Sequence, residues 1–132
     1  MRLRDYEPGE LFKGEAKRAR KAKPDKDERH CAAVRRINKC VGCGSSRDIE
    51  AAHIRMSNGP EKPNPGMGQK PPDRYVTPLC HQCHMEQHSM GERAWWRAQG
   101  LDPFAIADEL YRVTPDSGKM LAIIIRIKEG LL

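Results

Sequence analysis

Residues 80–88 read Cys-His-Gln-Cys-His-Met-Glu-Gln-His and bring two thiols and three imidazoles into nine positions. Two residues separate Cys80 from Cys83, a spacing that lets both sulfurs reach one tetrahedral ion. A matching pair, Cys40 and Cys43, lies upstream. The sequence therefore predicts a structural zinc site with four thiolate ligands.

The same stretch carries a second candidate metal site. His84 and His88 are four residues apart, so on a helix both rings lie on one face, about a turn apart. This spacing predicts a metal position separate from the zinc, although surface histidines on a polar helix have the same pattern. The two cysteine pairs are separated by 36 residues, more than the roughly 15–20 residues that are usual in a zinc ribbon. A segment is therefore inserted between them.

Length and composition favour one small protein with a modest core. The chain has 132 residues, of which 32% are charged and 5% aromatic, so we expect a metal ion to stabilise part of the fold. The absence of an apolar run of about eighteen residues, and of a signal-peptide pattern, predicts an intracellular protein with no membrane contact. Paired cysteines fit metal ligation in a reducing compartment. Cys31, the unpaired fifth cysteine, is predicted to be a buried thiol.

Positive charge is concentrated near the N-terminus. The first 39 residues carry 13 Lys and Arg against 7 Asp and Glu, which accounts for the whole net charge of +6. The segment from Lys13 to Lys26 has few large apolar residues, so we expect residues 1–27 to form a flexible basic arm ahead of a single domain at 28–132. Such an arm suggests contact with a phosphate backbone, although a solubilising tail would have the same composition. The candidate nucleic-acid-binding residues are Arg18, Arg20, Lys21, Arg35, Arg36, Arg55 and Arg74.

Periodicity and turn residues predict an α+β protein. A short amphipathic helix is expected from Glu28 to Asn38, followed by a strand from Asp48 to Ile54. Met56 to Asp73, rich in Pro and Gly, is predicted to be a loop. A second strand, from Arg74 to Leu79, leads into the helix that bears the two spaced histidines.

The C-terminal part, residues 91–132, is predicted to be a helical cover over the metal module. Helices are expected at 91–99, at about 103–112 and from about 116 or 117 to 129. Trp95 and Trp96 are expected to pack over the module, although either ring could stack on a base. The last helix carries an apolar stripe at helical spacing. We expect core packing there, with a weak homodimer as an alternative to a monomer.

The order strand, loop, strand, helix, with a histidine on the first strand and another on the helix, resembles an HNH endonuclease. The likeness covers about residues 40–88 and implies a ββα-metal module at about 40–90. It is carried by Ala52-His53-Ile54, by Val76-Thr77-Pro78-Leu79-Cys80 and by Cys83-His84. More narrowly, residues 50–53, 69–75 and 86–90 are similar to small phage and prophage HNH-like domains and, more distantly, to the phage recombination-enhancement nuclease.

The resemblance implies metal-dependent hydrolysis of phosphodiester bonds in DNA, in recombination or other DNA processing in the cytoplasm of a bacterial host cell. It makes His53 the general base, which takes a proton from the attacking water. It makes His84 and His88 ligands of a divalent ion that polarises the phosphate. Mg²⁺ or Mn²⁺ is expected, with Ni²⁺ or Zn²⁺ as alternatives. The implied partners are DNA and a recombination or replication protein.

One departure from the family pattern concerns the metal shell. Ala52 stands where most HNH sites have a metal-binding Asp or His. Glu50, Asp73 or water would then complete the shell, and we expect Asp73 to do so. Ala52 also favours a rival, a zinc-stabilised nucleic-acid-binding module without catalysis. A zinc-bound adaptor for other proteins is a further alternative.

A second departure concerns the residue that braces the loop behind the base. Tyr75 stands where the family has its middle Asn. Asp73, Asn58 or Asn64 could brace the loop instead. His81, between the second pair of thiols, is expected to point outward, where it could touch phosphate.

Overall fold

The computed structural model describes residues 26–59 and 71–131. Within these ranges the protein is an α+β fold in which a two-stranded antiparallel hairpin is followed by helices. Every described helix is too short or too polar to cross a lipid bilayer. Most of the predicted arm, at 1–25, and most of the predicted loop, at 60–70, lie outside the described residues. The elements are α1 (Glu28–Arg35), β1 (Ile49–His53), β2 (Val76–Cys80), α2 (His81–Met90), α3 (Glu92–Gln99), α4 (Pro103–Arg112) and α5 (Ser117–Lys128).

The hairpin pairs Ile49 with Cys80 at one end and His53 with Val76 at the other. The second strand begins two residues later than predicted and passes through Pro78 to Cys80. The Pro78 carbonyl accepts the Val41 N–H at 2.9 Å, on the side away from β1. Because this edge of Pro78 does not face β1, its missing N–H breaks no bond between the strands.

Helix α1 begins at an N-cap, Asp27, whose side chain accepts the His30 N–H at 3.1 Å. It ends at Arg35, earlier than the predicted Asn38, because Asn38 has a left-handed φ of 57° that a helix cannot contain. Cys31 is buried in the core on this helix, as predicted.

Apolar residues of the C-terminal helices share one core with cysteines of both pairs. Trp95 and Trp96 of α3 are buried, with ring centroids 4.8 Å apart in an edge-to-face contact. A Cβ added at Gly42, between the first two cysteines, would lie 2.9 Å from the Trp95 ring. Helix α5 buries Met120 and Ile124 in the same core. The apolar stripe of the last helix therefore packs inward at these positions.

Helix α4 packs against the end of β1. It begins at Asp102-Pro103, as predicted, where the Asp102 side chain accepts the Phe104 N–H at 3.0 Å. Phe104 and Ala107 form a small buried cluster with Ile54. Since Ile54 directly follows the last residue of β1, this cluster fixes the end of the strand where His53 lies.

Candidate functional site

The four paired cysteines converge although they are far apart in sequence. One ligand atom from each of Cys40, Cys43, Cys80 and Cys83 lies within 4.8 Å of all the others. The Cys43 and Cys80 sulfurs are 3.7 Å apart. This matches the edge, roughly 3.8 Å, of a tetrahedron with Zn–S bonds of about 2.3 Å. The cluster is consistent with the structural Zn²⁺ site that the cysteine spacing predicts.

Backbone N–H groups point at these sulfurs. Gly42 donates to the Cys40 sulfur at 3.2 Å, and Cys83 donates to the Cys80 sulfur at 3.4 Å. Burial raises the pKa of the Cys40 thiol, but backbone hydrogen bonds from Cys80, Cys43 and Gly42 outweigh it and leave that pKa below its ordinary value. Burial raises the pKa of the Cys83 thiol. The backbone N–H groups therefore favour the thiolate form of Cys40 relative to an ordinary thiol, and zinc binding would displace a proton from Cys83.

His53 and Asp73 form a second group. The His53 Nε2 atom lies 2.8 Å from the Asp73 Oδ1 atom. Asp73 is only 3% exposed, and its Oδ2 atom accepts the Asp27 N–H at 2.7 Å. Both oxygens of this buried carboxylate are thus engaged, which fixes the orientation of the His53 ring.

The Cys31 thiol lies beside this pair. One ligand atom each from Cys31, His53 and Asp73 lies within 4.8 Å of the other two, and residues of these three types can bind zinc. However, 2.8 Å between the imidazole and the carboxylate is a hydrogen-bond distance. We interpret the group as a hydrogen-bonded dyad next to a buried thiol.

A third group joins β1 to α2. The two oxygens of Glu50 lie 2.7 Å from the His84 Nδ1 atom and 2.9 Å from the His81 Nδ1 atom. The His84 and His88 rings are neighbours, with centroids 4.8 Å apart, as their spacing predicts. Burial raises the pKa of Glu50, but the hydrogen bonds from His84 and His81 lower it by more. The pKa of Glu50 is therefore below its ordinary value. Glu50 is therefore an anion at neutral pH.

The structure places the Asp73 carboxylate against His53, and Glu50 against His84. Because His53 pairs with Val76, the residues just before Val76 lie beside the end of β1, and the Asp73 carboxylate contacts His53 there. Asp73 is therefore the carboxylate on the His53 side of the hairpin, and Glu50 is the carboxylate on the α2 side. Across 26–59 and 71–131, the only groups of three or more converging ligand atoms are the four cysteines and the Cys31 group.

The second and third groups lie on different faces of the hairpin. Glu50 and His53 are three residues apart on β1, so their side chains leave the strand in opposite directions. The contacts agree, since Glu50 meets α2 whereas His53 meets Asp73 and lies near Cys31 of α1. Ala52, on the Glu50 face, is 2% exposed.

The predicted nucleic-acid-binding residues divide into two sets. Arg18, Arg20 and Lys21 lie outside the described residues, whereas Arg35, Arg36, Arg55 and Arg74 are exposed. The Arg74 guanidinium lies over the Tyr75 and Tyr111 rings, 5.1 Å and 5.0 Å from their centroids. Cation–π contacts of this kind hold the guanidinium in place. Arg74, adjacent to Asp73 in sequence, also lies 3.5 Å from the Asp108 Oδ1 atom.

A polar network behind the dyad was not evident from the sequence. The buried His30 places its Nδ1 atom 2.8 Å from the Thr114 hydroxyl, and the Tyr111 hydroxyl donates to Asp27 at 2.9 Å. Burial lowers the pKa of His30, against the raising effect of Asp27 and Asp73. Both hydrogen bonds join residues 84 positions apart, so no local pattern could have identified them.

Comparison with known proteins gives one match. A family model described as "Protein of unknown function (DUF968)" matches residues 5–113, which is most of the chain. No curated protein and no solved structure matches the chain. The family description names no activity and no HNH relationship. The chain belongs to the family described as Protein of unknown function (DUF968).

Proposed function

We propose that the chain is a metal-dependent endonuclease of the HNH type that hydrolyses phosphodiester bonds in DNA. The observation that carries the proposal is the 2.8 Å hydrogen bond between His53 and Asp73 at the end of β1. Hydrolysis needs a group that accepts a proton from water, and a histidine oriented by a carboxylate is suited to that task. The order β1, β2, α2, joined to a four-cysteine cluster, adds support because it resembles an HNH module.

In this proposal His53 is the general base. When its Nε2–H donates to Asp73, its Nδ1 atom carries the lone pair that accepts a proton from the attacking water. The water oxygen bonds to phosphorus while the bond from phosphorus to the 3′ oxygen breaks, and the leaving oxygen takes a proton from solvent. Asp73 keeps the His53 ring in the required tautomer.

His84 and His88 are the proposed ligands of the divalent ion. Their rings are neighbours on α2, and imidazole ligands suit Ni²⁺ and Zn²⁺ better than Mg²⁺. A divalent ion bound there would polarise the phosphate and stabilise the charge that develops on the leaving oxygen. Arg74, held over two aromatic rings, is the proposed contact to the phosphate backbone. His53 and the pair of His84 and His88 lie on different faces of β1. The proposal therefore requires the substrate to contact both faces at the end of this strand.

A zinc-stabilised nucleic-acid-binding module without catalysis is the second candidate. Two observations favour it. Ala52 supplies no ligand at the position where the HNH pattern has one, and His53 leaves β1 on the face opposite Glu50. In this alternative the four-cysteine cluster and Arg74 keep their roles, and the His53–Asp73 hydrogen bond only stabilises the fold.

Plasmid cleavage and DNA binding, measured in parallel, separate the two candidates. Purified full-length chain is incubated with supercoiled plasmid and Mg²⁺, Mn²⁺, Ni²⁺ or Zn²⁺ in turn, and its DNA affinity is measured at several salt concentrations. Nicked or linear product supports the endonuclease. Salt-dependent binding with intact plasmid under every metal supports the binding module. If the chain neither cleaves nor binds DNA at low salt, the result contradicts the endonuclease and the binding module and favours a protein adaptor.

The same binding assay tests Arg74. Arg74→Gln should weaken binding about equally for all DNA sequences and reduce the salt slope by about one, as expected for a phosphate contact. Arg126→Gln, which removes the same charge from the exposed side of α5, is the control. Equal losses in the two variants would show that only net charge matters.

A further inference from the structure

Glu50 contacts two histidines of α2 and uses a different oxygen for each. Its Oε1 atom lies 2.7 Å from the His84 Nδ1 atom, and its Oε2 atom lies 2.9 Å from the His81 Nδ1 atom. His81 and His84 are three residues apart, so both rings lie on the same face of the helix. In both histidines the nitrogen that contacts Glu50 is Nδ1.

The identity of that nitrogen determines what the rings can bind. An ionised carboxylate only accepts hydrogen bonds, so each Nδ1 atom facing Glu50 must carry a hydrogen. In a neutral imidazole the other nitrogen, Nε2, then carries the lone pair. A metal ion binds a histidine through its lone pair, and a carboxylate on the opposite nitrogen fixes the ring and makes it a stronger ligand.

We propose that Glu50 is a positioning residue of the α2 metal site, which fixes His84 in the tautomer with hydrogen on Nδ1 and leaves Nε2 for a divalent cation. The inference rests on the metal site of the proposed function, but not on DNA cleavage. It gives Glu50 a role other than direct ligation, since both of its oxygens already accept hydrogen bonds from imidazoles.

A carboxylate in this role has a measurable signature that a surface ion pair lacks. Removing an orienting carboxylate typically weakens metal binding about 10–100-fold. It also releases the imidazole from one tautomer, and removing an ordinary surface charge does neither. Metal affinity and tautomer therefore report on the role of Glu50 independently of enzymatic activity.

The first test is titration of the zinc-loaded full-length chain with Ni²⁺ by isothermal calorimetry. Glu50→Ala should weaken Ni²⁺ binding about 10–100-fold. Glu50→Gln should weaken it less, because an amide oxygen can still accept from one ring. His84→Ala should abolish the site. Glu129→Gln, which removes the same charge as Glu50→Gln at an exposed position, should leave Ni²⁺ affinity unchanged, and equal zinc content and melting temperature establish that each variant is folded.

The second test is long-range ¹H–¹⁵N correlation spectroscopy of the histidine rings, which distinguishes hydrogen on Nδ1 from hydrogen on Nε2. Before Ni²⁺ is added, the wild-type His84 ring should carry its hydrogen on Nδ1, and Glu50→Ala should release it to a mixture. Hydrogen on Nε2 in the wild type would overturn the inference, as would unchanged Ni²⁺ affinity in Glu50→Ala.

These outcomes are separable from those of the proposed nuclease. The expected tautomer and Ni²⁺ results without DNA cleavage would contradict the endonuclease and leave the role of Glu50 intact. Cleavage by a Glu50→Ala variant with unchanged Ni²⁺ affinity would contradict the role of Glu50 and leave the endonuclease intact.

Discussion

The Nε2 atom of His53 lies 2.8 Å from the Oδ1 atom of Asp73, while the other oxygen of Asp73 accepts the backbone N–H of Asp27. The histidine ends one strand, and the carboxylate lies just before the other. Asp73 therefore ties the orientation of the imidazole to the start of α1, through the helix N-cap. Any variant that changes the acceptor capacity of Asp73 must change the His53 ring or the cap.

Asp73→Asn tests this arrangement. An amide has only one acceptor oxygen, so either the Asp27 N–H loses its partner or an NH₂ group faces His53 and reverses its tautomer. We expect plasmid nicking to slow by about 10²–10⁴, the usual contribution of a general base. Asp116→Asn is the control, because Asn replaces Asp well at a helix N-cap. An Asp73→Asn rate equal to that of the wild type would show that cleavage does not depend on the contact between Asp73 and His53.

Loss of one zinc ligand should unfold the protein. Structural zinc contributes about 10–16 kcal/mol of apparent binding free energy in zinc-finger peptides. The free energy of unfolding of a typical domain is of similar size, about 5–15 kcal/mol. Cys83→Ser should therefore abolish both zinc content and the cooperative thermal transition. Cys31→Ser makes the same change at a buried cysteine outside the cluster and should retain zinc at a cost of about 1–3 kcal/mol. A folded, zinc-free Cys83→Ser protein would show that the cluster is not a structural metal site.

Gly42→Ala tests the contact between α3 and the first cysteine pair. The new methyl group would lie 2.9 Å from the Trp95 ring and 3.2 Å from the Cys83 sulfur, so we expect a loss of about 1–3 kcal/mol in the free energy of unfolding. Denaturant titration measures it. Gly118→Ala, on the exposed first turn of α5, should change stability by less than about 1 kcal/mol. Equal stability of Gly42→Ala and the wild type would mean that Trp95 packs elsewhere.

Acidification should destabilise the fold through His30. Burial lowers the pKa of His30 in the folded protein, so the unfolded chain binds more protons between that lowered pKa and the ordinary value near 6.5. The stabilising effect is fully present above the ordinary pKa and is lost as the pH falls through this window. Thermal unfolding at pH 7.5 and 5.5 should show a lower melting temperature in acid, with a smaller difference in His30→Gln. His81→Gln, at an exposed histidine, is the control. An identical pH effect in His30→Gln would assign it to other groups.

Local patterns in the sequence predicted the parts of the structure that depend on neighbouring residues. The paired cysteines, the Asp102-Pro103 helix start and the shared face of His84 and His88 each follow from spacing within one turn or one element. The strand bounds differ from the prediction by one or two residues, and β2 continues past Pro78 because its missing N–H faces away from β1.

The partners of the site residues could not be predicted, because they depend on strand register. Glu50 and Asp73 were both candidate metal ligands in the sequence, and Asp73 was the one expected. Only the pairing of His53 with Val76 brings Asp73 to His53, and only the alternation of β1 turns Glu50 toward α2. The Tyr111–Asp27 hydrogen bond joins distant segments for the same reason, and no spacing rule identifies it.

Cleavage of supercoiled plasmid by the wild type, His53→Ala and His84→Ala, at matched zinc content and melting temperature, tests the proposed endonuclease most directly. We predict nicked or linear product from the wild type with at least one divalent metal, slowed about 10²–10⁴-fold by His53→Ala and lost in His84→Ala. Intact plasmid under every metal, or equal cleavage by all three proteins, would contradict the proposal.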